Sequence, residues 1–229
     1  QTYISKYINT YIDSSFIHPC SASDPNLDQC IENVIRSAGP RFADGLPELG
    51  IAPLDPIRLD VVTVNNPSLR LNFTDASVDG LRWFRLNSYR INLPEGRAVL
   101  DFTANVTLKG HYVMDGKILI MPIKGDGEAK IKITNLNINL RYDFETKDGH
   151  WVVPSYSSTH KMDRAHFKFT NLFNGNRILA DIMHKILDDN WEPVIRDLSP
   201  EVIQQIIQAC VNESKKLFAH APVKDLLLP

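Results

Sequence analysis

The chain has 229 residues, 43% of them hydrophobic, and its 25 basic and 27 acidic residues give a formal net charge of -2. A chain of this length and composition can bury a sizeable core. Its mixed charges form no basic footprint for nucleic acid and no polybasic membrane anchor. No apolar run reaches the roughly 18 to 20 residues that a membrane span needs. We therefore expect neither a nucleic-acid partner nor a transmembrane segment.

Helical patterns occupy the N-terminal part, residues 1–56. Aromatic–aliphatic pairs recur every four residues at Tyr3-Ile4, Tyr7-Ile8 and Tyr11-Ile12, which predicts a short amphipathic helix. A second helix is predicted from about Leu27 to Phe42, because its apolar residues share one face. The stretch from Gly45 to Pro56 then carries two glycines and three prolines, which predicts a rigid extended connection.

Three cysteines bear on the compartment. Cys20 and Cys30 bracket a turn-rich segment, a spacing that suits a local disulfide, although two free thiols are the alternative. Closing such a loop stabilises a fold by roughly 2 to 3 kcal/mol. Cys210 falls in a helical apolar stripe, which favours a buried inert thiol over a nucleophile.

Three glycosylation sequons begin at Asn72, Asn105 and Asn212. The alternation around Asn72 and Asn105 places both side chains opposite the apolar face of their strands. Asn212 shares a polar helix face with Gln208 and Lys215. All three asparagines are therefore candidates for a glycan, and together with the predicted disulfide they indicate a secreted, extracellular protein.

Apolar and polar residues alternate from Ile57 to Phe173, which predicts long antiparallel strands. Turns are predicted at Asn66-Pro67, Pro94-Glu95-Gly96, Asp115-Gly116, Lys124-Gly125-Asp126-Gly127 and Asp148-Gly149. The alternation changes phase near Thr134-Asn135, which predicts a β-bulge. Runs of about 16 residues reach some 50 Å, so the sheet must coil strongly.

Helical spacing returns from Asn176 to His220, with a cap or kink predicted at Ser199-Pro200-Glu201. About 40 residues of helix span roughly 60 Å, which nearly matches the reach of the strands. We therefore predict an α+β fold in one domain, with a curved antiparallel sheet (57–173) rolled around a long C-terminal helix (174–229).

No pattern in the sequence indicates catalysis. The Gly-x-Ser-x-Gly signal of hydrolases is absent, and the seven histidines form no tight metal-binding pair. Gly125-Asp126-Gly127 lacks the third glycine of a phosphate loop. We therefore predict no catalytic residue, no metal and no cofactor.

Several segments resemble the Takeout and juvenile-hormone-binding proteins of insects. Cys20 to Cys30, with Asp24-Pro25 between the cysteines, resembles their N-terminal cysteine pair, and Gly45 to Pro56 resembles the Gly-x-Pro-x-Leu-Gly-Ile-x-Pro-Leu-Asp-Pro motif that follows it. Further segments resemble the family's central hairpin and its late landmarks: Gly110 to Leu119 with Pro122 to Gly127, Asn171 to Gly175, and Asn190 to Glu192. The matches span the chain in the family's order.

This resemblance implies a super-roll, in which a highly curved sheet wraps a long helix and leaves an apolar tunnel between them. It also implies a mature, secreted carrier with its signal peptide removed. Juvenile hormone carriers of the family have a second disulfide, whereas Cys210 has no partner, so the Takeout branch fits better. Inward-facing residues are candidates for the tunnel wall, with core packing as the alternative for each: Phe102, Tyr112, Leu140, Tyr142, Phe169, Met183 and Trp191.

Three functions stay open. The first is a monomeric carrier of a long hydrophobic molecule that is fatty-acid-like, terpenoid or juvenile-hormone-like. The second is a surface-acting lipid-binding or host-defence protein, which the N-terminal Tyr/Ile stripe favours. The third is a secreted hydrolase.

Overall fold

The computed structural model describes residues 17–229, so the helix predicted for the Tyr/Ile stripe lies outside the described residues. The N-terminal elements are β1 (Cys20–Ser21) and α1 (Leu27–Asp44). The strands that follow are β2 (Ile57–Asn66), β3 (Leu69–Asp79), β4 (Arg85–Asn92), β5 (Arg97–Ile118), β6 (Met121–Asp143), β7 (Glu145–Lys147), β8 (His150–Val152), β9 (Tyr156–Lys161) and β10 (Arg164–Phe169). The chain ends with α2 (Arg177–Asp189), α3 (Trp191–His220), α4 (Val223–Leu226) and β11 (Leu227–Leu228).

The main sheet is built on one very long hairpin. β5 has 22 residues and β6 has 23, and the two strands pair antiparallel along their length. Each reaches roughly 70 Å, far beyond an ordinary strand, and strands of that length coil. The sheet order is β10-β6-β5-β3-β2, while β4 pairs with the start of β5 and β9 with the end of β6. This antiparallel sheet with its C-terminal helices confirms the predicted α+β fold.

A β-bulge divides the hairpin, as the sequence predicts. The pairing of β5 with β6 shifts between Ala104 and Val106, so that Thr134 and Asn135 of β6 lie opposite the single residue Asn105 of β5. Asn135 has a left-handed φ of 49°, and its backbone N–H donates to Asn105 Oδ1 at 2.8 Å. Bulges bend a strand and strengthen its twist, so this one marks a natural boundary within the roll.

We name the two parts of the roll by this bulge. The tip half comprises β2, β3, β10 and the parts of β5 and β6 between the bulge and the hairpin turn. The base half comprises β4, β9 and the remaining parts of β5 and β6. α2 packs against β10 of the tip half, whereas α1 packs against β4 of the base half.

Two predicted turns are wrong. Asp115-Gly116 lies within β5, and Gly125-Asp126-Gly127 lies within β6; the chain reverses instead at Leu119-Ile120. The glycines serve close approach in the strands: a Cβ at Gly116 would overlap the carbonyl oxygen of Ser68. Apolar residues at the turn itself gave no signal, because turn prediction relies on glycine, proline, asparagine and aspartate.

The long C-terminal helix is interrupted, but not at the predicted place. Pro200 lies inside α3, and the chain breaks at Asn190, which has φ -119° and ψ 31°. The cause is Pro193, whose ring would clash with the carbonyl of Asp189 in an uninterrupted helix. With the break at Asn190, Pro193 falls in the first turn of α3, where its missing N–H needs no partner.

Helix side chains bind the free edges of the sheet. An unpaired strand edge exposes backbone N–H groups to pairing with other chains, and folds commonly cover it. Here side-chain acceptors from α1, α2 and α3 reach backbone donors of three edge strands. These bonds join Glu32 and Asp28 to Tyr89 and Ile91 of β4, Gln205 and Glu201 to Thr63 and Asn65 of β2, and His184 to Phe169 of β10. The helices therefore position the curled sheet as well as covering it.

Candidate functional site

The interior of the tip half is tightly packed. Tyr112 is 0% exposed, Phe169 4% and Met183 3%. The Tyr112 hydroxyl donates to the Thr170 carbonyl at 2.7 Å, and its ring centroid lies 4.9 Å from that of Phe169. A Cβ at Gly125 would overlap this hydroxyl, so glycine allows the close contact. Side chains without accessible surface leave no room beside them for another molecule.

The base half is different on the same concave face. Phe102 and Leu140 alternate with buried Ala104 and Ile138, so they point inward, yet both keep accessible surface. The opposing surface of α3 and β9 behaves alike. Its partly exposed apolar side chains are Tyr156, Val202, Ile206 and Cys210. Ala209 of α3 instead lines a pocket beside Ile57 and Arg58 of β2.

Tyr142 and Cys210 show what this partial exposure means. Burial raises the pKa of the Tyr142 phenol to about 12, and burial raises the pKa of the Cys210 thiol to about 12. Protein therefore encloses both polar atoms, although each residue as a whole keeps some accessible surface. Residues of this kind, with an enclosed polar atom and some accessible surface, are suited to line a space between the sheet and α3.

A polar pair closes one side of this region. The Tyr89 and Tyr142 hydroxyls lie 2.8 Å apart, and burial raises the pKa of Tyr89 well above its ordinary value. The backbone N–H of Tyr89 donates to Glu32 at 2.9 Å, and this bond lowers the pKa of Glu32. α1 is thus fastened to the strand that carries the buried phenol.

The structure separates six of the seven predicted wall residues into two groups. Phe102, Leu140 and Tyr142 share the concave face of the base half. Tyr112, Phe169 and Met183 belong to the packed tip half. Trp191 is half-buried at the start of α3, with the Arg164 guanidinium 5.7 Å from its ring centre.

Sequence reasoning missed the residues of α3 that face the base half. Val202, Ile206 and Cys210 lie beside buried Ile203 and Ile207 on the same apolar stripe. Helical periodicity places them toward the sheet, and that signal was visible. The periodicity does not show which part of the stripe is fully covered, because that depends on the side chains of the sheet opposite.

The predicted Cys20–Cys30 disulfide is confirmed. Cys210 is a free cysteine whose raised pKa suits an inert thiol. The side chains of Asn72, Asn105 and Asn212 are all exposed, as their predicted facing requires. Glycan attachment at these three positions stays a prediction.

One polar contact of chemical interest was not predicted. His160 Nε2 lies 2.9 Å from the hydroxyl oxygen of Ser199, at the junction of β9 with α3. Burial lowers the pKa of His160, and Ser199 is 5% exposed. No carboxylate of the described residues pairs with this histidine, so the contact lacks the third member of a hydrolytic triad.

Residues 17–229 contain neither a helix that could span a membrane nor a metal-binding cluster. No described helix is long and apolar enough to cross a membrane. No three or more side chains of histidine, cysteine, aspartate or glutamate gather as a metal site within that range. A surface groove of about 530 Å³ follows α1 beside His18 and Cys30, and it lies apart from the concave face described above.

Comparison with known proteins identifies relatives that cover all or part of the chain. Circadian clock-controlled protein daywake of Drosophila melanogaster is 24% identical over 241 residues, which cover 96% of this chain and 92% of that protein. The putative beta-carotene-binding protein of Schistocerca gregaria is 25% identical over 122 residues, which cover 52% of this chain and 49% of that protein.

A solved structure shares the architecture. The crystal structure of Epiphyas postvittana Takeout 1 matches with a TM-score of 0.88 at 30% sequence identity, covering 93% of this chain and 100% of that one. The family model for haemolymph juvenile hormone binding protein matches residues 5–228. This chain therefore belongs to the haemolymph juvenile hormone binding protein family, together with the Takeout proteins.

Proposed function

We propose that this protein is a secreted carrier of one long hydrophobic molecule, held between the base half of the sheet and α3. The observation that carries the proposal is the pair of Tyr142 and Cys210, which protein encloses and which nevertheless keep accessible surface. An internal space with such walls is a ligand site in the general form known for small molecules, concave and mostly apolar.

The wall favours an apolar guest. Phe102, Leu140, Val202 and Ile206 offer carbon surface, and an empty apolar space of this kind stays dry or takes up an apolar molecule. Each methylene buried there contributes about 0.8 kcal/mol before the costs of association. A chain of about sixteen methylenes therefore contributes roughly 13 kcal/mol, which exceeds the lower range of association costs without many polar contacts.

The names of the relatives support the same ligand class. The family is named for juvenile hormone, and the locust relative is named for beta-carotene binding. Both are long and predominantly apolar molecules. We propose a fatty-acid-like, terpenoid or juvenile-hormone-like ligand, bound by the monomer.

Secretion is part of the proposal. The Cys20–Cys30 disulfide persists in oxidising compartments, and the family takes its name from haemolymph. Exposure of Asn72, Asn105 and Asn212 leaves each sequon free to carry a glycan on a secreted chain.

We infer that the protein binds its ligand without chemical turnover. Ser199 and His160 are the only serine–histidine contact among the described hydrogen bonds, and Ser199 lies on a continuous helix with little accessible surface. A hydrolase needs an exposed nucleophile and donors for the oxyanion. Assays with generic ester substrates should show no hydrolysis above the rate of the Ser199→Ala variant.

Native mass spectrometry of protein secreted from insect cells tests the carrier. We expect one lipophilic molecule per chain, and a fluorescent long-chain fatty acid should compete with it. Leu140→Trp should reduce probe affinity at least tenfold, because the larger side chain occupies the space. Val61→Trp is the matched control, because Val61 is 56% exposed on the outer face of β2. The probe affinity of this control should stay at the wild-type value.

Several outcomes would contradict the carrier. They include a protein that is empty and binds no long-chain probe, and equal affinity in Leu140→Trp and wild type. Vesicle sedimentation tests the surface-acting alternative. A carrier should stay in the supernatant, whereas a surface-acting lipid-binding protein should pellet with neutral vesicles.

A further inference from the structure

Basic side chains form a straight row across the outer face of the tip half. Lys109 of β5 lies opposite Lys130 of β6, and Lys130 lies opposite Lys168 of β10. On the other side, Lys109 lies opposite Ser77 of β3, which in turn lies opposite Arg58 of β2. The row therefore crosses five strands, or roughly 19 Å at ordinary strand spacing.

All four basic side chains of this row face outward. Arg58, Lys109, Lys130 and Lys168 are exposed, whereas Leu108, Ala129, Phe167 and the other neighbours on the opposite face belong to the core. Lys132 lies one step further along β6 on the same outer face. We call Arg58, Lys109, Lys130, Lys132 and Lys168 the basic row.

The basic row is unfavourable for the protein alone. Directly opposite side chains in a sheet have Cβ atoms about 5 Å apart, and like charges at that distance destabilise the pair. Asp79 neutralises Lys109 at 2.8 Å. Among residues 17–229, no carboxylate pairs with Arg58, Lys130, Lys132 or Lys168.

Cations elsewhere on the surface are treated differently. Lys185 pairs with Asp189 at 2.8 Å, and Lys216 pairs with Glu213 at 2.8 Å. The formal net charge of -2 means that acidic residues are not in short supply. The unneutralised charges of Lys130, Lys132 and Lys168, with Arg58 at the far end of the row, are complementary to an anionic partner.

The shape and chemistry of the row select the kind of anion. The row contains only basic side chains and Ser77, so it offers no apolar wedge for a membrane and no aromatic ring for nucleobase stacking. Protein interfaces depend on aromatic or apolar anchors, which the row also lacks. A line of charges across a coiled sheet curves away from a flat bilayer, whereas a flexible linear polymer can follow it.

We propose that the basic row binds a sulfated polysaccharide laid across the strands of the tip half. Sulfate esters remain ionised at physiological pH, and a linear chain presents them at close intervals along its length. The row lies on the outer face of the sheet, so this binding is separate from the internal ligand site and does not depend on it. A carrier with this surface would be retained at an extracellular matrix.

Heparin is the probe for the test. We expect wild-type protein to bind a heparin oligosaccharide at about 0.05 M salt and to lose most of this affinity by about 0.2 M, because screening shortens the reach of surface charges. Lys130→Ala with Lys168→Ala should weaken binding at least tenfold. The control is Lys147→Ala with Lys215→Ala, which changes the net charge equally away from the row and should retain wild-type affinity.

A folding readout distinguishes lost binding from lost structure. Removing two mutually repelling lysines should raise the melting temperature of the Lys130→Ala, Lys168→Ala variant by about 1 to 3 °C. The affinity of this variant for the long-chain fatty acid should equal that of the wild type, because the substituted lysines lie on the outer face of the sheet.

Three results would overturn the proposal. One is the absence of heparin binding by wild-type protein at low salt. Another is an equal loss of heparin affinity in the row variant and the control, which would mean that binding depends only on net charge. The third is lysine-dependent binding to phosphatidylserine vesicles without heparin binding, which would assign the row to a membrane.

Discussion

The two halves of the roll share one hairpin and one alternation of apolar and polar residues, yet they use them differently. In the tip half, side chains such as Tyr112, Leu172 and Leu187 have no accessible surface. In the base half, Leu140 and Tyr142 occupy equivalent inward positions and keep some. The difference teaches that a periodic pattern fixes which face is inside, while the opposing element decides whether the inside is filled.

The cause lies in what covers each half. α2 brings Met183 and Leu187 onto the tip half, where both are buried. The part of α3 that faces the base half offers a smaller residue, Cys210, beside Val202 and Ile206. On our proposal, these smaller side chains leave the volume that the ligand fills, because the densely packed core elsewhere cannot shift to fill it.

Shortening one leucine side chain to alanine in each half should give the largest difference in stability between the halves. Leu187→Ala removes a side chain that is 0% exposed, so we expect a loss of about 2 to 5 kcal/mol in the free energy of unfolding. Leu140→Ala should cost about 1 kcal/mol, because its side chain is only partly buried and loses fewer contacts. Urea unfolding measures both, and equal losses would remove the distinction between the halves.

Breaking the disulfide should act on the base half. Cys20→Ser with Cys30→Ser should reduce stability by about 2 to 3 kcal/mol, because the loop between the cysteines gains freedom in the unfolded chain. Cys30 lies in α1, whose Asp28 and Glu32 hold the edge of β4. Hydrogen exchange should therefore increase in β4 and remain at the wild-type level in β10. Faster exchange in β10 instead would contradict this assignment.

The His160–Ser199 contact predicts a smaller, pH-dependent effect. Burial lowers the pKa of His160, so the unfolded chain takes up a proton at a pH where the folded protein stays neutral. The contribution of neutral His160 to the free energy of unfolding is fully present above the ordinary histidine pKa of 6.5. It is lost as the pH falls from 6.5 to the lowered pKa of His160 in the folded protein. His160→Gln should flatten the melting temperature over that interval. An unchanged slope in the variant would exclude His160 as its origin.

Much of the fold was predictable from local patterns. The bulge at Thr134-Asn135, the disulfide and the outward sequons each follow from residues close together in sequence. The hairpin turn was not predictable, because Leu119-Ile120 carries none of the usual turn residues. Two prolines in this region could each predict a helix break. The break falls just before Pro193, whereas Pro200 is accommodated within α3.

The candidate site was predictable only in part. Alternation correctly places Phe102, Leu140 and Tyr112 on the inward face. It cannot tell that Tyr112 meets Gly125 and Phe169 in a filled core, because those contacts join strands far apart in sequence. The basic row likewise depends on the register of five strands, which no single segment specifies.

Photoaffinity labelling tests the central claim most directly. A long-chain fatty acid that carries a diazirine near its middle would be bound, irradiated and mapped by peptide mass spectrometry. We predict adducts on the base half and on α3, at residues such as Phe102, Leu140 and Ile206. Adducts confined to Tyr112, Phe169 or Met183 would contradict the assignment of the ligand to the base half.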